Sequence, residues 1–160
     1  MMKNSEDDPL KKAKKRAMDI LTHRDKTEKE LREKLLGDGY EPGVADEAVA
    51  YVKSYGYIDD ERYAGNYIAY RMDKKSRMVL RRELLARGIE ENLLDSVLEE
   101  HFSQVDEDAV VIACIEKKCR GTYPGCLPGR SDEKEYGKLM RYLMGRGYSF
   151  DCIRRVMKGD

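Results

Sequence analysis

Three stretches of this chain superimpose without gaps: LREKLLGDGY from Leu31, LRRELLARGI from Leu80 and LMRYLMGRGY from Leu139. In each, apolar residues stand first, fifth and sixth, and a Gly followed by a large apolar residue comes near the end. Val44, Leu93 and Cys152 stand at matching places beyond the Gly, and so do the pairs Ala48-Val49, Val97-Leu98 and Val156-Met157. Apolar residues three and four apart mark one face of a helix. Each copy therefore reads as a helix, a stop and a second helix. A chain that repeats itself on this scale is confined to a repeat architecture, whatever else it does.

Gly39, Gly88 and Gly147 supply the stop, because glycine closes a helix in the left-handed conformation without steric penalty. Tyr40, Ile89 and Tyr148 would then fold back on Leu35, Leu84 and Leu143. A further helix precedes each pair. Leu10 to His23 has Ala13, Ala17, Ile20 and Leu21 on one stripe, Asp60 to about Lys74 has Tyr63, Tyr67, Tyr70, Ala64 and Ile68, and Glu107 to about Lys118 has Val110, Val111, Cys114 and Ile115. The reading is all-α, with nine helices in three tandem three-helix units and no strands. The units fall at residues 10–57, 58–104 and 105–160, after a disordered acidic tail at 1–9. The third unit carries a Gly- and Pro-rich loop, Arg120 to Asp132. A unit this small is marginal alone, so the three are expected to cover one another's apolar faces in an elongated array of undefined curvature.

GYIDDERYA, Gly56 to Ala64, looks most like an active site, with three consecutive acids. Yet SQVDEDAVVIA, from Ser103, repeats it at the next junction, matching Val105 to Ile58, Asp106 to Asp59 and Val110 to Tyr63. Asp59 and Asp106 are then helix N-caps, Asp60-Glu61 and Glu107-Asp108 lie where the helix dipole favours acids, and Gly56 closes the helix before. Ile58 with Tyr63, and Val105 with Val110, are placed as hydrophobic staples. The acids read as a splice between helices, not as chemistry.

Composition supports a charged, folded, soluble chain. Charged residues make up 39% and apolar ones 41%, too much for disorder. Cations and acids balance, 31 against 31, so only local asymmetry can point to a partner. The start of the chain lacks the apolar core of a secretory signal, and no run approaches the ~18 apolar residues of a span. Cys114, Cys119, Cys126 and Cys152 have irregular spacing and no C-x-x-C pair. A reducing cytoplasm is the expected location, without metal or cofactor. Cys114 and Cys152 occupy apolar repeat positions. No phosphate loop, nucleophile elbow or metalloprotease helix is present.

At RDKTEKELREKLLGDGY (Arg24 to Tyr40), GYIDDERYA followed by Arg71, LRRELLARGI and LMGRGYSFDCIRRVM (Leu143 to Met157), the chain resembles the RecX family. These are regulatory proteins that modulate the RecA recombinase. The match spans nearly everything after the tail, and the GYIDDERYA junction is its most diagnostic piece. The resemblance implies tandem three-helix repeats, no catalytic residues, and binding within the groove of the RecA filament on single-stranded DNA. There the protein would hinder strand exchange, ATP turnover and coprotease activity, in recombination, DNA repair and the SOS response. The TYPGCLPG insertion departs from the family by being longer than expected.

Charge is segregated along the chain. Arg71, Lys74, Lys75, Arg77, Arg81, Arg82 and Arg87 face only Asp73 and Glu83, whereas Glu90 to Asp108 is almost wholly acidic. The last unit turns basic again, with Lys117, Lys118, Arg120, Arg130, Lys138, Arg141, Arg146, Arg154 and Arg155. The contact candidates for a RecA filament are Arg71, Lys74, Lys75, Arg77, Arg81 and Arg82, then Lys138, Arg141, Arg146, Arg154 and Arg155; KKAKKR in the first helix ranks below them. Six of the eleven Tyr lie between Tyr51 and Tyr70, beside the middle basic run. Interleaved aromatics and cations can stack on single-stranded bases. Tyr63, Tyr67 and Tyr70 share one stripe and read as packing, while Tyr51, Tyr55 and Tyr57 stay open. The expected protein is a monomer with no membrane and no small-molecule substrate. The rival reading is an autonomous helix-turn-helix DNA binder, which paired short helices also describe.

Overall fold

The computed structural model describes residues 8–129 and 131–159. Among these lie nine α-helices and no strand. They are α1 (Pro9–His23), α2 (Glu28–Gly37), α3 (Pro42–Ser54), α4 (Asp60–Arg71), α5 (Arg77–Ala86), α6 (Glu91–Phe102), α7 (Glu107–Cys119), α8 (Glu133–Gly145) and α9 (Phe150–Met157). The triplets predicted from the repeat are present. Helix α1 opens at Pro9, with the Asp8 side chain accepting from the Leu10 amide at 3.1 Å. Residues 8 and 9, within the tail expected at 1–9, belong to a capped helix; a Pro in the first turn forfeits no bond there. The rest of that tail, 1–7, and Arg130 lie outside the described residues.

The Gly stops have the predicted conformation. Gly39 has φ +96°, its amide bonds the Leu36 carbonyl at 3.0 Å, and the Tyr40 amide reaches back to Leu35 at 3.2 Å. This double closure satisfies carbonyls that the end of α2 would leave open. The same pair of bonds recurs at Gly56 and Gly88. Asp59 caps α4 by accepting from the Arg62 amide at 3.1 Å, and Asp106 caps α7 by accepting from Ala109.

The chain divides into two compact units: residues up to Tyr67 with Glu83–Val97, and Ile68–Arg82 with Leu98 onward. In the first, α1 packs on α3 through Ala13, Ala17, Ala45 and Ala48, all fully buried. Ile20, Leu31, Leu35, Val49, Val52 and Ile58 complete this core. Small side chains let the two backbones approach closely. The first unit also holds a bond the sequence did not announce: the Asp60 carboxylate accepts from the Glu28 amide at the start of α2, at 2.9 Å. Burial holds that carboxyl above its ordinary value, opposed by the amide. The acids of GYIDDERYA cap and open α4, and Asp60 ties one repeat to the next.

In the second unit the core is Val111, Ile115, Leu139, Leu143, Tyr148, Cys152, Ile153, Val156 and Met157. The insertion is pinned to it. The Tyr123 hydroxyl donates to the Val156 carbonyl at 2.8 Å, its amide donates to Glu116 at 3.0 Å, and Cys126 and Leu127 pack on the same cluster. The Tyr stripe of α4 needs one correction. Tyr67 is buried and stacks with half-buried Tyr63 at 6.2 Å, but Tyr70 is 84% exposed. The stripe turns out of the core at the end of α4, and only its first two rings pack.

Candidate functional site

Both units contain the same kind of strut, built on the residue before the Gly stop. In the first unit Arg87 lies 5.1 Å over the Tyr67 ring, donates to the Tyr63 hydroxyl at 3.0 Å and faces Glu30 at 3.5 Å. Its carbonyl accepts from buried Thr27 at 2.6 Å, whose hydroxyl also caps α2 in a capping box with Glu30. In the second unit Arg146 lies 5.6 Å over Tyr142, donates to its hydroxyl at 3.1 Å and to the Lys74 carbonyl at 2.8 Å. Cations over aromatic faces gain from the ring quadrupole. Arg146 is one of the contact candidates; these bonds make it part of the framework.

The remaining basic candidates all lie in the second unit. Several of them border a groove of about 420 Å³. Met72, Met78, Phe102, Val105, Val110 and Tyr148 give it an apolar lining. Lys75, Arg77 and Arg81 stand at its border, with Glu107 as the acid among the lining residues. Glu107 is engaged within the lining, accepting from the Ser149 amide at 2.9 Å and from its hydroxyl at 3.2 Å. Arg77 pairs with Glu99 at 3.2 Å in solvent, where such a bridge adds little and is easily exchanged. Met78 is 58% exposed. Methionines fill irregular contacts adaptably, so a Met-lined groove with cations around it suits a protein surface carrying an apolar anchor beside acids. Nothing in it converges as a nucleophile, base or oxyanion cradle would.

The other candidates are spread over the same unit. Lys74, Arg82, Arg141 and Arg154 are exposed, Arg71 is half-buried at the end of α4, and Lys138 pairs with Glu135 at 3.2 Å. Arg155 is engaged: its Nε donates to Asp108 Oδ2 at 2.8 Å, while the Cys152 thiol donates to Oδ1 at 3.0 Å. Arg155, and then the thiol, pull the Asp108 carboxyl down to about 2. Burial first, and Asp108 second, push the thiol up to about 12. A depressed carboxylate adds stability above its unfolded value, near 4, that is lost as pH falls toward 2. Acid unfolding of Asp108→Asn should therefore lack the part of the pH dependence between about 4 and 2. Cys152 should also stay unlabelled by a thiol reagent at pH 8 until the protein unfolds, since the thiolate is the reactive form. Prompt labelling of Cys152 in the native protein would contradict this geometry.

The groove could not be read from periodicity alone, because Met72, Met78 and Phe102 in its lining are not among the matched repeat positions. Met72 and Met78, two apolar residues flanking a basic run, are the signal the sequence offers for it. Among the described residues no cluster of three or more His, Cys, Asp or Glu could hold a metal, and no helix is long and apolar enough to cross a membrane.

This architecture defines a class: a tandem three-helix repeat protein. The chain matches the first three-helix domain of RecX over residues 13–51, the second over 59–98 and the third over 106–157. Regulatory protein RecX of Clostridium perfringens (strain SM101 / Type A) is 31% identical over 95% of this chain and 70% of its own length. Regulatory protein RecX of Vibrio campbellii is 33% identical, over 91% and 89%. The crystal structure of RecX from Lactobacillus salivarius superimposes with a TM-score of 0.73 at 19% identity, covering 94% of this chain and 95% of that one. The chain belongs to the RecX family, whose members are regulatory proteins and not enzymes.

Proposed function

We propose that this protein modulates the RecA recombinase as an inhibitor, binding along the RecA filament groove on single-stranded DNA and lowering ATP turnover, strand exchange and coprotease activity. The observation that carries the reading is the open Met- and Phe-lined groove bordered by Lys75, Arg77 and Arg81, in a chain of the RecX family. An apolar recess supplies affinity and the cations supply orientation and approach rate. The protein acts in the cytoplasm as a monomer, without cofactor.

The helix-turn-helix reading fits less well. A recognition helix presents its N-terminal residues to the groove of DNA. Here two of the helices after the Gly stops open on acids: Glu41, Asp46 and Glu47 at α3, and Glu90, Glu91 and Asp95 at α6. Those faces repel phosphate.

The test is RecA-dependent ATP turnover on single-stranded DNA, with co-sedimentation of the filament. The wild type should lower turnover and pellet with filament. Arg77→Glu/Arg81→Glu/Arg82→Glu should lose at least about tenfold in apparent affinity, as reversed charges at a docking face cost several kcal/mol. Unchanged turnover at stoichiometric excess of the wild type would refute the proposal.

A further inference from the structure

The first unit carries an exposed aromatic patch that the groove does not explain. Tyr51, Tyr55 and Tyr57 are 37%, 64% and 49% exposed. They touch one another: Tyr51 meets Tyr55 edge-on at 5.1 Å, and Tyr55 stacks on Tyr57 at 6.2 Å. Their order is built in. Tyr51 and Tyr55 stand one turn apart at the end of α3, and the Gly56 stop turns Tyr57 back beside them, its amide bonded to Val52 at 3.1 Å. Packing does not require three neighbouring rings in solvent, since the core beneath is closed by Val52 and Ile58.

Cations flank the rings. Lys14 Nζ sits 4.4 Å from the centre of the Tyr51 ring, and exposed Lys11 and Lys15 lie within a turn of it on α1. At the other end the Arg62 guanidinium donates to the Gly56 carbonyl at 3.3 Å, beside Tyr57. Acids bracket the patch too, with Glu47 one turn before Tyr51, and Asp59 and Glu61 beyond Tyr57. Phosphates are therefore favoured on the α1 side only, while the rings offer stacking faces. A row of stacking rings with cations along one edge is the pattern that holds single strands without reading sequence.

We infer that Tyr51, Tyr55 and Tyr57 form a base-stacking platform for single-stranded nucleic acid, with Lys11, Lys14 and Lys15 taking the backbone. The platform extends the filament reading without depending on it, because it contacts the strand itself and lies apart in sequence from the groove residues. A partner protein seated on the same rings is the outcome the experiment separates.

Binding of a fluorescein-labelled oligothymidylate to the full chain, without recombinase, is measured by anisotropy. The chain has no Trp, so intrinsic emission reports tyrosine alone. The wild type should bind with tyrosine emission quenched, and Tyr55→Ala/Tyr57→Ala should weaken binding about tenfold or more, as removal of stacked rings does. Tyr55→Phe/Tyr57→Phe keeps the rings and should stay within about twofold of the wild type. An abasic strand should bind wild type and alanine variant alike. A 5-iodouracil strand should photo-cross-link to one of the three tyrosines in the unaltered protein. Equal binding of oligothymidylate by wild type and alanine variant, or cross-links only elsewhere, overturns the platform. Retained strand binding with abolished filament inhibition in the alanine variant would assign the rings to a protein partner and overturn it too. Failure of the Arg77/Arg81/Arg82 variant to alter ATP turnover would count against the groove reading and leave the platform standing.

Discussion

Gly147→Ala is expected to lower the stability of the protein by about 3 kcal/mol or more, while Gly39→Ala should cost only about 1–2. Both glycines have positive φ, +87° and +96°, where an alanine is strained. Around Gly39 a methyl group would meet nothing within 4 Å. At Gly147 it would arrive 2.5 Å from Ser76 Oγ and 2.6 Å from Val79 Cγ2. Ser76 is buried and accepts from the Val79 amide, so it cannot swing away without uncapping α5. Strain and overpacking therefore add at one position and not at the other. Urea unfolding of the two variants gives the comparison, and equal midpoints would show that the close seat at Gly147 is not real.

Arg146→Ala should cost about 2 kcal/mol, because charged hydrogen bonds and the stacking of a cation on a ring disappear together. The Lys74 carbonyl and the Tyr142 hydroxyl each lose the guanidinium as a donor, and the guanidinium no longer covers the ring. Arg146→Lys should recover less than half of this, because an ammonium cannot bridge both acceptors as the planar fork does. Arg154→Ala, at an exposed position of α9, should change stability by no more than about 0.5 kcal/mol. Thermal melts rank the three. Should Arg146→Ala melt like the wild type, the arginine would again be free to serve the partner. The pair also guards functional assays: weaker filament inhibition by Arg146→Ala would report framework damage, and by Arg154→Ala a direct role at the docking face.

The local layer of this structure was legible because each element is written three times. Gly39, Gly88 and Gly147 announce their own stops, and the paired residues ten positions on, such as Val97 and Leu98, are buried as the register requires. Asp59 and Asp106 were recognisable as caps because one junction repeats the other. What could not be read joins segments distant in sequence. Asp60 looks like any first-turn acid until the Glu28 amide is found beside it. Arg87 and Arg146 look like surface cations in runs of like charge, and only the rings of Tyr67 and Tyr142 beneath them reveal otherwise. The groove joins repeat positions such as Tyr148 to Met72, Met78 and Phe102, which the repeat does not mark. Tyr70 misled for the opposite reason, since it follows the helical period faithfully at a point where the core has already ended.

The seating of the Gly stops follows one rule within each unit. Gly88 lies against Lys29 at the head of α2, and Gly147 against Ser76 and Val79 at the head of α5. In each unit the Gly stop of one repeat thus closes on the head of the middle helix of the repeat before it. Truncation before the third repeat would therefore uncover Ser76 and Val79 while leaving Lys29 covered.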